Sequence, residues 1–139
     1  MMILLVEDSR FLRVASERAL LKAGYDVVSA VDGEAALLMA RERVPNLILL
    51  DMMLPKLDGL GVLRALKHDS QTADIPVIVL SGLGQQNEAR MKKEGAAAYF
   101  TKSDSLLEND SDTLLHLVES VVGKQKTAGP GAATPVAVN

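Results

Sequence analysis

The chain has 139 residues, 48 % of them hydrophobic and 24 % charged, with no Cys, no Trp and a formal net charge of −3. That length supports one buried core, and the charge balance argues against nucleic-acid binding by bulk electrostatics. Without cysteine there are no disulfides, thiolate metal sites or cysteine nucleophiles, so a cytoplasmic setting is the expectation. The opening MMILLV run ends at Glu7 and Asp8, and no apolar run is long enough to cross a bilayer, so neither a signal sequence nor membrane attachment is expected.

In chain order, residues 3–6 (ILLV) are apolar throughout and predict a strand covered on both faces. Residues 9–23 predict a helix carrying Leu12, Ala15, Ala19 and Leu20, stopped by Gly24. The mixed run 25–30 (YDVVSA) predicts a strand nearer the sheet edge, and the Ala, Leu and Glu-rich segment 32–43 a helix that ends before Pro45. The same alternation follows three more times: strand 47–50 (LILL) and helix 58–68, strand 77–80 (VIVL) and helix 85–94, strand 97–101 (AAYFT) and helix 112–122. Five strand–helix repeats predict right-handed crossovers and a three-layer α/β sandwich around a parallel sheet. A single domain is expected over residues 1–123, with 124–139 (KQKTAGPGAATPVAVN) a flexible tail or linker stub. The acids between 104 and 119 read as helix-entrance charges that suit the macrodipole.

Functional residues of an open α/β sheet gather beyond the carboxyl ends of its strands. Here those positions hold Glu7 and Asp8, Asp51, Ser81 with Gly82, and Lys102. Singly, Asp8 or Ser9 reads as a helix cap, Ser81–Gly82 as a turn and Lys102 as a solvated loop residue. Asp51 directly continues a buried strand and must therefore find a partner or stay neutral. Three carboxylates in one place repel unless a cation sits among them, and an all-oxygen donor set suits Mg²⁺. A carboxylate beside Mg²⁺, a lysine and a hydroxyl is equipped to accept a phosphoryl group.

The ordered set ILLVED, VDGEAAL, LILLDMMLPKLDGLGVL, IPVIVLSG and GAAAYFTK resembles the receiver domain of two-component response regulators over residues 2–122. The resemblance implies a doubly wound, flavodoxin-like (βα)5 fold with strand order 2-1-3-4-5. It implies Asp51 as phosphoacceptor from a histidine kinase or phosphotransfer protein, with Asp8 holding Mg²⁺ directly, Glu7 through water and Met53 by its backbone carbonyl. Ser81 and Lys102 then bind the phosphoryl oxygens, and Tyr99 is the switch aromatic that follows Ser81. Such a protein is a phosphoacceptor switch and not an enzyme in the ordinary sense. Its downstream partner is a protein met by the face of the fourth helix, fifth strand and fifth helix, without direct nucleic-acid or membrane contact. Pro55 and Gly59 read as the turn that brings the chain past the site. Ser103 follows Lys102 where the family usually has a proline after a cis bond, so a trans Lys102–Ser103 bond and a rebuilt loop are expected.

An alternative reading makes this the receiver half of a longer regulator with a separate, for example DNA-binding, output domain. An aspartyl-phosphate enzyme of the haloacid-dehalogenase type needs Asp-x-Asp after the first strand, which Glu7–Asp8 does not supply. A dinucleotide-binding enzyme needs a glycine-rich loop where this chain has EDSRFL. His68 and His116 read as surface residues away from the site.

Overall fold

The computed structural model describes residues 1–52, 59–81, 88–101 and 110–128. Five strands and five helices alternate: β1 (Met2–Val6), α1 (Arg10–Lys22), β2 (Asp26–Ala30), α2 (Gly33–Arg43), β3 (Leu47–Asp51), α3 (Gly59–His68), β4 (Val77–Ser81), α4 (Glu88–Lys93), β5 (Ala98–Thr101) and α5 (Asp110–Ala128). The sheet is parallel, in the order β2-β1-β3-β4-β5. The all-apolar runs occupy its middle, where every residue of β3 and β4 is buried, while the mixed runs lie at its two edges.

Alternation along the strands divides the interior into two cores. Leu4, Val6, Ile48, Leu50, Val77 and Val79 pack against Ala36 and Ala40 of α2, Val62, Leu63 and Leu66 of α3, and Met91 of α4. Ile3, Leu5, Leu47, Leu49, Ile78 and Leu80 pack on the other face against Leu20 of α1 and Leu114, Val118 and Val122 of α5. Among the described residues, no helix is long and apolar enough to cross a membrane.

The helix ends follow local chemistry. Ser9 caps α1, its hydroxyl accepting from the Leu12 N–H at 3.4 Å, and Asp32 caps α2, accepting from the Ala35 N–H at 2.8 Å. Gly24, at φ +99°, turns the chain out of α1 in a left-handed conformation that L side chains rarely adopt. Val44 makes the corresponding left-handed turn after α2, at φ 43°, despite its branched side chain. An L-residue there costs about 1–2 kcal/mol, against about 0.5–1 kcal/mol of extra backbone entropy for glycine. Val44 is exposed and has little burial to lose, so Val44→Gly is expected to raise the melting temperature by a few degrees in a calorimetric scan.

The expected start of α4 at residue 85 lies outside the described residues, which resume at Glu88 already in the helix. One helix end differs from the sequence expectation. The backbone of α5 stays helical to Ala128, past the compositional boundary at Lys124. Lys, Gln and Ala are good helix formers, and the first breaker pair, Gly129–Pro130, comes only afterwards.

Side chains also tie the α-helical layer together on one face. Arg41 bridges to Asp69 at 2.7 Å, and Arg64 grips Glu94 with two hydrogen bonds of 3.2 and 2.9 Å. Lys67 donates to the carbonyls of Ala73 and Ile75, closing the loop between α3 and β4, while burial lowers its pKa. The Gln71 N–H, then the Arg41 guanidinium, hold the Asp69 carboxyl below its ordinary range; the Arg64 hydrogen bonds do the same for Glu94. A carboxyl depressed on folding contributes stability above its unfolded pKa and loses it as pH falls through the folded value. The difference in melting temperature between wild type and Asp69→Asn is therefore expected to shrink as the pH drops below about 4.

Candidate functional site

The strand register brings the chemistry to one edge. Val6 lies opposite Leu50, Asp51 opposite Leu80, and Ser81 opposite Thr101, so the carboxyl ends of the four strands finish nearly level. Glu7 continues β1 for one more ladder bond, its N–H donating to the Ala30 carbonyl at 3.0 Å. Asp51 and Ser81 are themselves the last residues of β3 and β4, and the Met52 N–H donates to the Leu80 carbonyl at 2.9 Å.

Carboxylate oxygens of Glu7, Asp8 and Asp51 all lie within 4.8 Å of one another. At that separation each ionised pair repels by about 3 kcal/mol at an effective dielectric constant near 20. Glu7 and Asp51 are each only 2 % exposed, whereas Asp8 faces solvent. Two buried carboxylates and one exposed one form a cluster able to hold a metal ion, open on the Asp8 side to water. Oxygen-only donors match a hard divalent cation better than a soft one.

Ser81 is fully buried on the strand next to Asp51. Tyr99, half-buried, packs against the core on the α2, α3 and α4 side, and its register opposite Val79 puts it on the same face of the sheet as Ser81. The structure thus gathers Glu7, Asp8, Asp51 and Ser81 at one edge, with Tyr99 just behind. Lys102, Met53, Pro55, Gly82 and the Lys102–Ser103 bond lie outside the described residues. His68 and His116 are exposed on α3 and α5.

Gly59, the first residue of α3, lies against the site. A Cβ there would sit 2.5 Å from the Met52 Cα and 2.7 Å from the Asp51 carbonyl oxygen, and the Gly59 N–H donates to the Met52 carbonyl at 3.0 Å. Arg13 is the neighbour that sequence reasoning passed over: its Nη1 donates to the Glu7 carbonyl at 3.2 Å. The available signal was its spacing, one helical turn after the Ser9 cap that follows the acid pair.

The fold is a parallel, doubly wound α/β sheet with a carboxylate cluster at its carboxyl edge that could hold a metal ion. The family model for the response regulator receiver domain matches residues 3–113, and the chain belongs to that family. It is 44 % identical over 101 residues to the DNA-binding dual master transcriptional regulator RpaA of Synechocystis sp., a match covering 72 % of this chain and 42 % of that protein. A gliding motility regulatory protein of Myxococcus xanthus is 43 % identical over 104 residues, 73 % of this chain and 13 % of its own length. The chain therefore spans less than half the length of these curated relatives. Among solved structures, the Francisella response regulator 1452 receiver domain superposes with a TM-score of 0.79 at 28 % identity, covering 90 % of this chain and 98 % of that one. The chemotaxis response regulator CheY4 of Vibrio cholerae gives 0.77 at 27 % identity, covering 86 % and 97 %.

Proposed function

We propose that the chain is a phosphorylation-driven switch in which Asp51 accepts a phosphoryl group. The observation that carries this reading is the juxtaposition of Glu7, Asp8 and Asp51 carboxylates within 4.8 Å at the sheet edge. An oxygen of Asp51 attacks phosphorus in line; the bond from phosphorus to the imidazole nitrogen of the donor's phosphohistidine breaks, and its electron pair stays on that nitrogen. Asp8 and Asp51, with Glu7, would hold Mg²⁺, and the Met53 carbonyl is expected to join them; a bound ion would supply positive charge for the transferred oxygens. Ser81 and Lys102 bind those oxygens, and Tyr99 follows Ser81 as the site closes.

The donor is a sensor histidine kinase or a phosphotransfer protein. Phosphorylation adds about two negative charges at Asp51. The output is a changed affinity of the α4, β5 and α5 face for a protein, limited by the difference in affinity between the two states. The chain assists its own phosphorylation and dephosphorylation without turning over a separate substrate. A chain without cysteine suits the cytoplasm. The length of the Synechocystis relative favours a second reading, in which this chain is the receiver half of a longer regulator with a DNA-binding output domain.

The test is incubation with a small acyl phosphate and Mg²⁺, followed by intact-mass measurement. A wild-type chain that gains no phosphoryl group overturns the proposal.

A further inference from the structure

The acid pair is held by the helix that follows it. The Arg13 N–H donates to the Ser9 carbonyl at 2.8 Å, in the first turn of α1, and its side chain reaches back toward the preceding turn. There Nη1 donates to the Glu7 carbonyl at 3.2 Å, while the Glu7 carboxylate accepts from the Ser9 N–H at 3.2 Å. The Glu7 N–H is already engaged with the Ala30 carbonyl. Glu7 is thereby held on both main-chain sides and through its carboxylate.

The Glu7 carbonyl belongs to the peptide that also carries the Asp8 nitrogen. Because that peptide is planar, fixing the direction of the carbonyl fixes the plane from which the Asp8 Cα departs. Its direction sets where Asp8 presents its carboxylate relative to Glu7 and Asp51. A guanidinium is charged at all ordinary pH values, so its hydrogen bond to the Glu7 carbonyl does not titrate.

We infer that Arg13 is a positioning residue for the cation centre, holding the Glu7–Asp8 peptide so that the three carboxylates converge. It acts through the acids and does not itself touch the reacting atoms. The inference rests on the Mg²⁺ reading of the cluster given above.

The experiment measures Mg²⁺ binding by titration calorimetry for wild type, Arg13→Gln and Arg13→Lys, with melting temperatures in metal-free buffer. Arg13 is only partly buried on a helix, and both replacements are good helix formers, so the variants fold. Partners that orient metal ligands are worth about 10–100-fold in affinity, so Arg13→Gln is expected to weaken Mg²⁺ binding about tenfold while its metal-free melting temperature stays close to that of wild type. Arg13→Lys keeps a charged donor and is expected to recover most of that loss. In acyl phosphate labelling, the half-saturating Mg²⁺ concentration rises for Arg13→Gln while the limiting rate holds within about twofold. Binding by Arg13→Gln as tight as or tighter than wild type overturns the inference, as does an Arg13→Lys variant as weak as Arg13→Gln. A wild-type chain that takes up no Mg²⁺ overturns both the inference and the cation reading beneath it.

Discussion

Asp51→Asn is expected to gain no phosphoryl group under conditions in which the wild-type chain gains one. The amide is neutral and its oxygen is a poor nucleophile, and the substitution also removes one of the three convergent carboxylates. Two companion measurements separate these causes. Asp51→Glu keeps a carboxylate but advances it by one methylene at a position that is only 2 % exposed. A displacement of about 1 Å from in-line geometry costs about 100-fold, so slow residual labelling is the expected result. Chelating the divalent ion from wild type removes several kcal/mol of charge stabilisation; at about 4 kcal/mol the rate falls about a thousandfold. Intact-mass labelling that persists on Asp51→Asn would show that the acceptor is a residue other than Asp51.

Gly59→Ala is expected to damage the site from outside it. The new Cβ would meet the Met52 Cα at 2.5 Å and the Asp51 and Met52 carbonyl oxygens at 2.7 and 3.0 Å. All three are main-chain atoms at the end of β3, unable to yield as the tip of a flexible side chain can. Overpacking usually costs about 1–3 kcal/mol, and contact with backbone belongs at the upper end of that range. A loss of about 3 kcal/mol corresponds to a melting temperature lower by about 10 °C. The relief available is to push β3 and α3 apart, which moves Asp51, so labelling by acyl phosphate is expected to slow about 100-fold in the fraction that remains folded. A Gly59→Ala variant with wild-type melting and labelling would show that the segment yields without cost.

Much of this fold is legible in the residues alone. The runs 3–6, 47–50 and 77–80 have no polar position to offer water, so they had to lie between two layers of helices. The mixed composition of residues 25–30 marked an edge strand, and Gly24 marked the end of α1. Strand limits were less legible. Apolarity stops at Leu50 and Leu80, yet the ladder continues through Asp51 and Ser81, because main-chain hydrogen bonds are indifferent to side-chain polarity. The end of α5 is not marked by composition either: the change at Lys124 does not halt a helix built from Lys, Gln and Ala.

The sequence by itself determined the alternation of strand and helix, the buried middle of the sheet and the residue types at its carboxyl edge. Each is a property of local pattern, since burial on both faces demands unbroken apolarity and acids cannot hide inside it. Only the tertiary structure decided that Glu7 and Asp51 are buried while Asp8 faces solvent, that Gly59 lies against the backbone beneath Asp51, and that Arg13 grips the peptide between the acids. Those facts depend on strand register, on the angle at which each helix leaves the sheet, and on rotamers chosen by packing. Contacts of that kind join α1 to β1 and α3 to β3 through space; spacing along the chain makes them possible, and packing decides whether they form.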